Sequence, residues 1–283
     1  MAKKLTETQI KTYRKNGYCF PIEGIGKNKA KKTRAQLEAY ESNLGSRLTS
    51  AGREERYKLH VRLTWACDMV RNPDILDAVE DIVGPNILVW TSTFFIKEPH
   101  TSAITMWHQD ATYFGLRPHD HVTAWVALSN ATENSGCMEF VSEDGKPRLF
   151  KHRINAHPSS INGGGQTISE QFKKDRSVRA KLALGQFSLH HTLCIHSSPP
   201  NNSDDRRIGY GISYIPTSVR HIGTIPQRAM LVRGEDRFGN FVHEPYPIGV
   251  SQNDSAELAK SRSSYNLGYA EQIRWHAEGR WGN

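Results

Sequence analysis

The chain has 283 residues, enough for one large domain or two small ones. Hydrophobic residues make up 37%, and 22 glycines bring the apolar share to roughly 45%, the lower edge of the ~45–50% typical of globular proteins, which argues against disorder. The net charge of +8, from 37 Lys and Arg against 29 Asp and Glu, reads either as that of a soluble basic protein or as a preference for anionic ligands, and the one dense basic run, Lys27-Asn28-Lys29-Ala30-Lys31-Lys32, reads as a solvated helix face rather than the aromatic-interleaved stripe a nucleic-acid module needs.

The first predicted element is a helix. Thr6 and Thr8 precede Gln9, Ile10 and Tyr13, and Gly17 closes the segment. A second helix runs from Lys29 to about Leu48, with apolar residues at Ala35, Leu37, Tyr40 and Leu44. The third spans Asn72 to Ile82. Asn72 is its cap, Pro73 its first turn, and Ile75, Leu76, Val79 and Ile82 its apolar stripe; Gly84-Pro85 ends it. Strands follow, rich in branched and aromatic residues: Ile87 to Ile96, Thr105 to His108, Val122 to Leu128, Met138 to Val141, Gln186 to Leu189, Leu193 to His196 and Arg207 to Ile215. The stretch from Ile154 to Gln166, with Gly163-Gly164-Gly165, is too polar for core. It reads as a loop, either a mobile cover over a site or a surface insertion. From about Ser251 the chain turns helical and polar again, a tail that packs on the domain or on a partner. Short strands behind a few helices predict a β-sandwich or barrel with helices outside. The expected organisation is one domain: a helical part over about 1–85, a β-barrel core over about 86–250 and a helical tail over about 251–283.

Cys19, Cys67, Cys137 and Cys194 lie far apart with no Cys-x-x-Cys pair, against both a zinc ribbon and a disulfide scaffold. The opening Met-Ala-Lys-Lys-Leu leads into a polar helix rather than an apolar signal region. No stretch approaches ~18 apolar residues. The expectation is a cytoplasmic protein with neither a membrane nor a nucleic acid as partner.

Two segments carry chemistry. In Trp107-His108-Gln109-Asp110, strand alternation places His108 and Asp110 on one side. A lone His-x-Asp arises often by chance. The second segment ends an apolar strand at His196, passes a polar turn, and enters the strand that begins at Arg207. Two histidines and one carboxylate on one face form the facial triad of a non-haem iron site, leaving three octahedral positions open. Arg207, eleven residues after His196, has the guanidinium fork that grips a carboxylate. Gly209 and Gly211 share its face and leave room for a small ligand.

These segments resemble the phytanoyl-CoA dioxygenase family of iron(II)- and 2-oxoglutarate-dependent oxygenases. The resemblance rests on Gly17-Tyr18, the strand Phe94-Phe95-Ile96-Lys97-Glu98-Pro99, the WHQD at 107–110, and Thr123-Ala124-Trp125-Val126-Ala127-Leu128. It continues through Asn134-Ser135-Gly136-Cys137-Met138 and the block from His196 and Ser198 to Arg207, in order over roughly residues 6–245. It implies a fold that is mainly β with flanking helices: a double-stranded β-helix, jelly-roll and cupin-like, with the metal inside one mouth. By the same resemblance His108, Asp110 and His196 are the iron ligands. Arg207 anchors the distal carboxylate of 2-oxoglutarate, Ser198 is a hydroxyl partner, and Trp125 and Gln109 are pocket residues. Strand alternation points Arg206 away. Lys97 faces the pocket or solvent, with a substrate-anion role in the first case. His190 and His191 read as packed or surface residues, and His100, His119, His121, His152 and His157 as loop residues.

The chemistry so implied uses Fe(II), 2-oxoglutarate and O2, with ascorbate as activator. It hydroxylates a C–H bond of a small molecule and releases succinate and CO2. Related halogenases have alanine or glycine at the carboxylate position; Asp110 favours hydroxylation over chlorination. The branch with a segment like WHQDATYFGL includes bacterial enzymes acting on small polar molecules, among them phosphonates such as 2-aminoethylphosphonate. The rival readings are a non-catalytic β-barrel binding protein and a halogenase-related oxidase acting on a carrier-bound substrate. The oligomeric state is open.

Overall fold

The computed structural model describes residues 2–142, 147–154, 157–162, 166–249 and 251–280. The chain opens with α1 (Glu7–Asn16), β1 (Tyr18–Ile22), α2 (Lys27–Leu44), α3 (Thr64–Val70) and α4 (Pro73–Val83). Next come β2 (Ile87–Lys97), β3 (Thr105–His108), the short α5 (Ala111–Phe114), β4 (Leu116–Arg117), β5 (Val122–Ala127) and β6 (Met138–Val141). Then follow β7 (His152–Ile154), β8 (Gln166–Ile168), β9 (Val178–Ala180), β10 (Phe187–His191), β11 (Ile195–Ser198) and β12 (Arg207–Pro216). The last elements are β13 (Arg220–His221), β14 (Arg228–Arg233), β15 (Val242–His243) and α6 (Gln252–Ala277).

Local chemistry sets the helix ends. Thr6 and Gln9 form a reciprocal capping box at α1. The Asn72 side chain accepts from the Asp74 N–H with Pro73 in the first turn of α4. The second helix stops at Leu44, short of the expected Leu48, because Gly45 takes the left-handed conformation at φ 70° and turns the chain. Leu48 is then buried separately beyond the helix. The short α3 carries too few residues for a helical period to stand out in the sequence.

The strands form a seven-stranded sheet in the order β1-β10-β5-β12-β2-β14-β15, a four-stranded sheet β3-β11-β6-β9 and two small pairs, β13-β4 and β7-β8. This is the double-stranded β-helix, with two sheets enclosing the site. Alternation along the strands of the large sheet separates its faces. Ile208, Tyr210, Ile212 and Tyr214 of β12 and Val122, Ala124 and Val126 of β5 join a core with the N-terminal helices. The intervening Arg207, Gly211 and Ser213, with Thr123 and Trp125, face the cavity. Both faces are therefore covered, and β5 is buried at every position.

One loop expectation changes, and the packing of the polar tail is resolved. His152 and Ile154 belong to β7, which pairs antiparallel with β8, so the flanks of the supposed loop are a ladder. Its Gly163–Gly165 tip lies outside the described residues. The polar tail is α6, and it packs on this same domain: Gln227 Nε2 donates to the Ser264 carbonyl at 2.9 Å, and the Thr224 hydroxyl donates to Glu271 at 2.6 Å. No helix among the described residues is long and apolar enough to cross a membrane.

Candidate metal centre

The site begins with strand pairing. β11 pairs antiparallel with β3, and His196 lies directly opposite His108. Their rings are 4.1 Å apart between centroids. Asp110 reaches them from another direction than strand alternation supposes. β3 ends at His108, and Asp110 starts the turn of α5 with helical backbone angles. Its Oδ1 lies 3.6 Å from His108 Nε2 and 3.8 Å from His196 Nε2. Ligand atoms of His108, Asp110 and His196 all lie within 4.8 Å of one another, the one such group among the described residues.

The donor set fits a divalent metal. His108 Nδ1 is 2.8 Å from the Met106 carbonyl, and His196 Nδ1 is 3.0 Å from the Cys194 carbonyl. A carbonyl only accepts, so each Nδ1 carries the proton and each Nε2 turns a lone pair inward. Burial, then the neighbouring His108, holds the His196 pKa well below its ordinary value, in the neutral form a metal requires. Burial opposes ionisation of Asp110, but the neighbouring His108, His190 and His196 rings outweigh it and hold its carboxyl well below the usual range.

Arg207 opens β12 and is 1% exposed. Its guanidinium carbon lies 5.2 Å from the centre of the Trp125 ring. Its Nε and one terminal nitrogen have no hydrogen-bond partner among the described residues. Burial pushes its pKa down to about 10. A buried cation with open donors facing a cavity is costly unless an anion completes it, and this fits a 2-oxoglutarate carboxylate. Gly209 makes room for the arrangement: a Cβ there would lie 1.8 Å from Trp125 Cζ2.

His108, Asp110, His196, Arg207, Ser198 and Trp125 line one cavity of about 110 Å³. Two expected pocket residues do not. Gln109 is fully buried and works as a bracket. Its Nε2 donates to the carbonyls of Arg148 and Leu193, at 2.9 and 2.6 Å, and its Oε1 accepts from the Phe150 N–H at 2.7 Å. Both amide protons and one lone pair of the amide oxygen are thus engaged by the backbone. Lys97 faces neither the cavity nor solvent. It is fully buried beside the cavity wall, and its Nζ donates to the Ser198 hydroxyl at 2.7 Å and to the carbonyls of Ser198 and Pro199. Burial and the facing Arg207 push its pKa down to about 6. Arg206 points away from the cavity, into Glu41 and Glu98.

Further residues stand around the site. His190 is buried and packed on Phe140, at 5.3 Å between ring centres, and it also lines the cavity, with Nε2 3.5 Å from Asp110 Oδ2. His121 is fully buried, 3.1 Å from the Thr123 hydroxyl. His152 is buried too, and its Nε2 accepts from the Gln109 N–H at 3.0 Å. Helix α6 brings Tyr265 and Tyr269 to the cavity, and the Tyr269 hydroxyl donates to Gln166 at 2.8 Å. Signals existed for some of these: Thr123 shares a strand face with Trp125, and Tyr265 and Tyr269 are one helical turn apart.

Comparison with known proteins agrees with this geometry. Human peroxisomal phytanoyl-CoA dioxygenase is 29% identical over 154 residues, 53% of this chain and 46% of that protein. A probable alpha-ketoglutarate-dependent hypophosphite dioxygenase of Stutzerimonas stutzeri is 28% identical over 148 residues, 50% of this chain and 51% of that protein. The chain thus spans about half the length of the curated relatives it matches. Among solved structures, the non-heme monooxygenase ThoJ in its apo form superposes with a TM-score of 0.83 at 28% identity, over 94% of this chain and 99% of that one. CytC3 with Fe(II) and alpha-ketoglutarate shares the fold, with a TM-score of 0.62 at 20% identity over 84% and 92% of the two chains. The profile of the phytanoyl-CoA dioxygenase (PhyH) family matches residues 13–209, and the chain belongs to that family.

Proposed function

We propose that the chain is a single-domain Fe(II)- and 2-oxoglutarate-dependent dioxygenase that hydroxylates a C–H bond of a small polar molecule. The observation that carries this reading is the pairing of an inward-facing His108, Asp110 and His196 set with a buried, open-donor Arg207 in one cavity. His108, Asp110 and His196 would hold the ferrous ion. When bound, that ion supplies the oxidising chemistry that consumes 2-oxoglutarate and O2 and yields succinate, CO2 and the hydroxylated product.

The protein's own part is positioning and exclusion. Arg207 grips the distal carboxylate of the keto acid, and the Ser198 hydroxyl, oriented by Lys97 and 3.0 Å from Thr105 Oγ1, lies on the same wall. Trp125 backs the guanidinium. Tyr265, Tyr269 and Phe114 border the cavity on the side of α6 and limit the size of the substrate. Asp110 occupies the third ligand position, which favours hydroxylation over chlorination.

The substrate class we favour is a small anion-bearing molecule, with 2-aminoethylphosphonate the first to test. The net charge of +8 supports this, as does the likeness to a hypophosphite dioxygenase. Ascorbate acts as activator, and the compartment is the reducing cytoplasm. The test is a succinate assay with iron(II), ascorbate and 2-oxoglutarate across phosphonates, hypophosphite, amino acids, betaines and acyl-thioesters, followed by labelled O2 in high chloride. Labelled oxygen in the product is expected. A chlorinated product, or no succinate with any compound, refutes the reading.

A further inference from the structure

The two oxygens of Asp110 have different surroundings. Oδ1 faces His108 and His196, as above. Oδ2 lies 3.1 Å from the Thr123 hydroxyl and 3.5 Å from His190 Nε2. A carboxylate only accepts, so the single hydroxyl proton of Thr123 goes to Oδ2. That hydroxyl oxygen is also 3.1 Å from His121 Nε2. Its proton is already committed, so His121 must be the donor there. The chain of donation runs from His121 Nε2–H to Thr123 Oγ1, from Thr123 O–H to Asp110 Oδ2, and from His190 Nε2–H to the same oxygen. The Nδ1 atoms of His121 and His190 have no partner among the described residues, in keeping with a proton on Nε2 in each ring.

The four histidines therefore divide by tautomer. His108 and His196 keep their protons on Nδ1, against backbone carbonyls, and turn lone pairs to the centre. His121 and His190 keep theirs on Nε2. This separates His190 from the ligands even though its ring centre is only 4.7 Å from that of His196. Thr123 and His190 both line the cavity, and both are buried.

We propose that Thr123 and His190, with His121 behind Thr123, are positioning residues that hold Asp110 as a one-oxygen metal ligand. The proposal rests on His108, Asp110 and His196 being the metal site. With Oδ2 held by two donors, only Oδ1 is available to the metal, and three positions stay open for a two-point keto acid and one further ligand. Without the donors the carboxylate is free to rotate and close a position with its second oxygen.

The test uses Co(II) on the full chain, read by calorimetry and by the visible absorption of the bound ion, which reports coordination number. Thr123→Val removes the hydroxyl at nearly constant shape, and Thr123→Ser restores it. His190→Leu removes the donor, and His190→Gln keeps one. Thr123→Val and His190→Leu are expected to lower Co(II) affinity by about 10- to 100-fold, as loss of an outer partner does at other sites. They should also change the Co(II) spectrum and weaken 2-oxoglutarate binding to the Co(II) protein, while Thr123→Ser and His190→Gln stay near wild type. Metal-free unfolding temperatures identify any variant that has merely lost its fold. Wild-type affinity and spectrum in folded Thr123→Val and His190→Leu overturn the proposal and leave the metal site standing. Failure of the wild-type chain to bind Co(II), or binding that survives His196→Ala, overturns both.

Discussion

Adjacent arginines at the start of β12 provide a severe test, because the same substitution has opposite consequences one residue apart. Arg206 donates to Glu41 at 2.8 and 2.9 Å and to Glu98 at 2.9 Å through two nitrogens, and the Arg206 and Glu41 side chains are only 7% and 3% exposed. Breaking a buried pair from one side costs about 3–5 kcal/mol, because it strands a buried charge. Glu41 would retain the Leu48 N–H at 2.8 Å and Arg47 at 3.6 Å, which places Arg206→Ala at the lower end of that range. At ~2–4 °C per kcal/mol for a chain of this size, the unfolding temperature falls by roughly 6–12 °C. Binding of 2-oxoglutarate should be unchanged. Arg207 has open donors in the buried cavity wall, so Arg207→Ala removes no protein partner of those atoms and shifts the unfolding temperature by less. It should lower affinity for 2-oxoglutarate by about ten- to a hundredfold, the ~1.5–3 kcal/mol of a charge-assisted pair. Thermal unfolding and calorimetric titration of the Ni(II)-loaded protein with 2-oxoglutarate read both quantities. Loss of keto-acid affinity in Arg206→Ala with none in Arg207→Ala refutes the reasoning and puts the register of the strand one residue out.

Gly209→Ala would push a Cβ to 1.8 Å from Trp125 Cζ2, where carbon atoms need ~3.5–4.0 Å, and β12 cannot yield because it is paired on both edges. The expected cost is about 1–3 kcal/mol, with altered tryptophan fluorescence and weaker 2-oxoglutarate binding; an unchanged emission spectrum would contradict the packing. Burial lowers the pKa of His152 and His221 to about 4 and of His121 to about 3. Below the unfolded value of about 6.5 the unfolded chain takes up protons that the folded chain refuses. Stability present above that pH should therefore fall as pH drops toward 4, and equal urea midpoints at pH 7.5 and pH 5 would oppose it. Adding Ni(II) should raise the unfolding temperature of the wild-type protein but not of His108→Ala, and chelation should stop succinate formation until iron(II) is restored; full turnover by His108→Ala would remove it from the ligand set.

What the sequence determined by itself is local. Helix starts at Thr6 and Asn72 were readable because a cap acts within three residues. Arg207, Gly209 and Gly211 were readable as one face because strand alternation has a period of two. Only the tertiary structure decided the surroundings of those faces. Asp110 meets His108 and His196 through a helical turn, not through strand alternation, and His196 meets His108 only because β11 pairs with β3. Lys97 and Gln109 look in sequence like pocket residues. Long-range partners, Ser198 and Pro199 for one, Arg148, Phe150 and Leu193 for the other, engage their polar groups elsewhere. The docking of α6 was hidden for a different reason. Its buried face mixes Leu258 and Tyr265 with Asp254, Ser261, Glu271 and Gln272, so polar residues interrupt the apolar stripe that a sequence pattern would reveal. Residue types and short spacings identify which atoms have chemistry to offer, but the direction of each lone pair and proton is set by neighbours that only the folded chain brings within 3 or 4 Å.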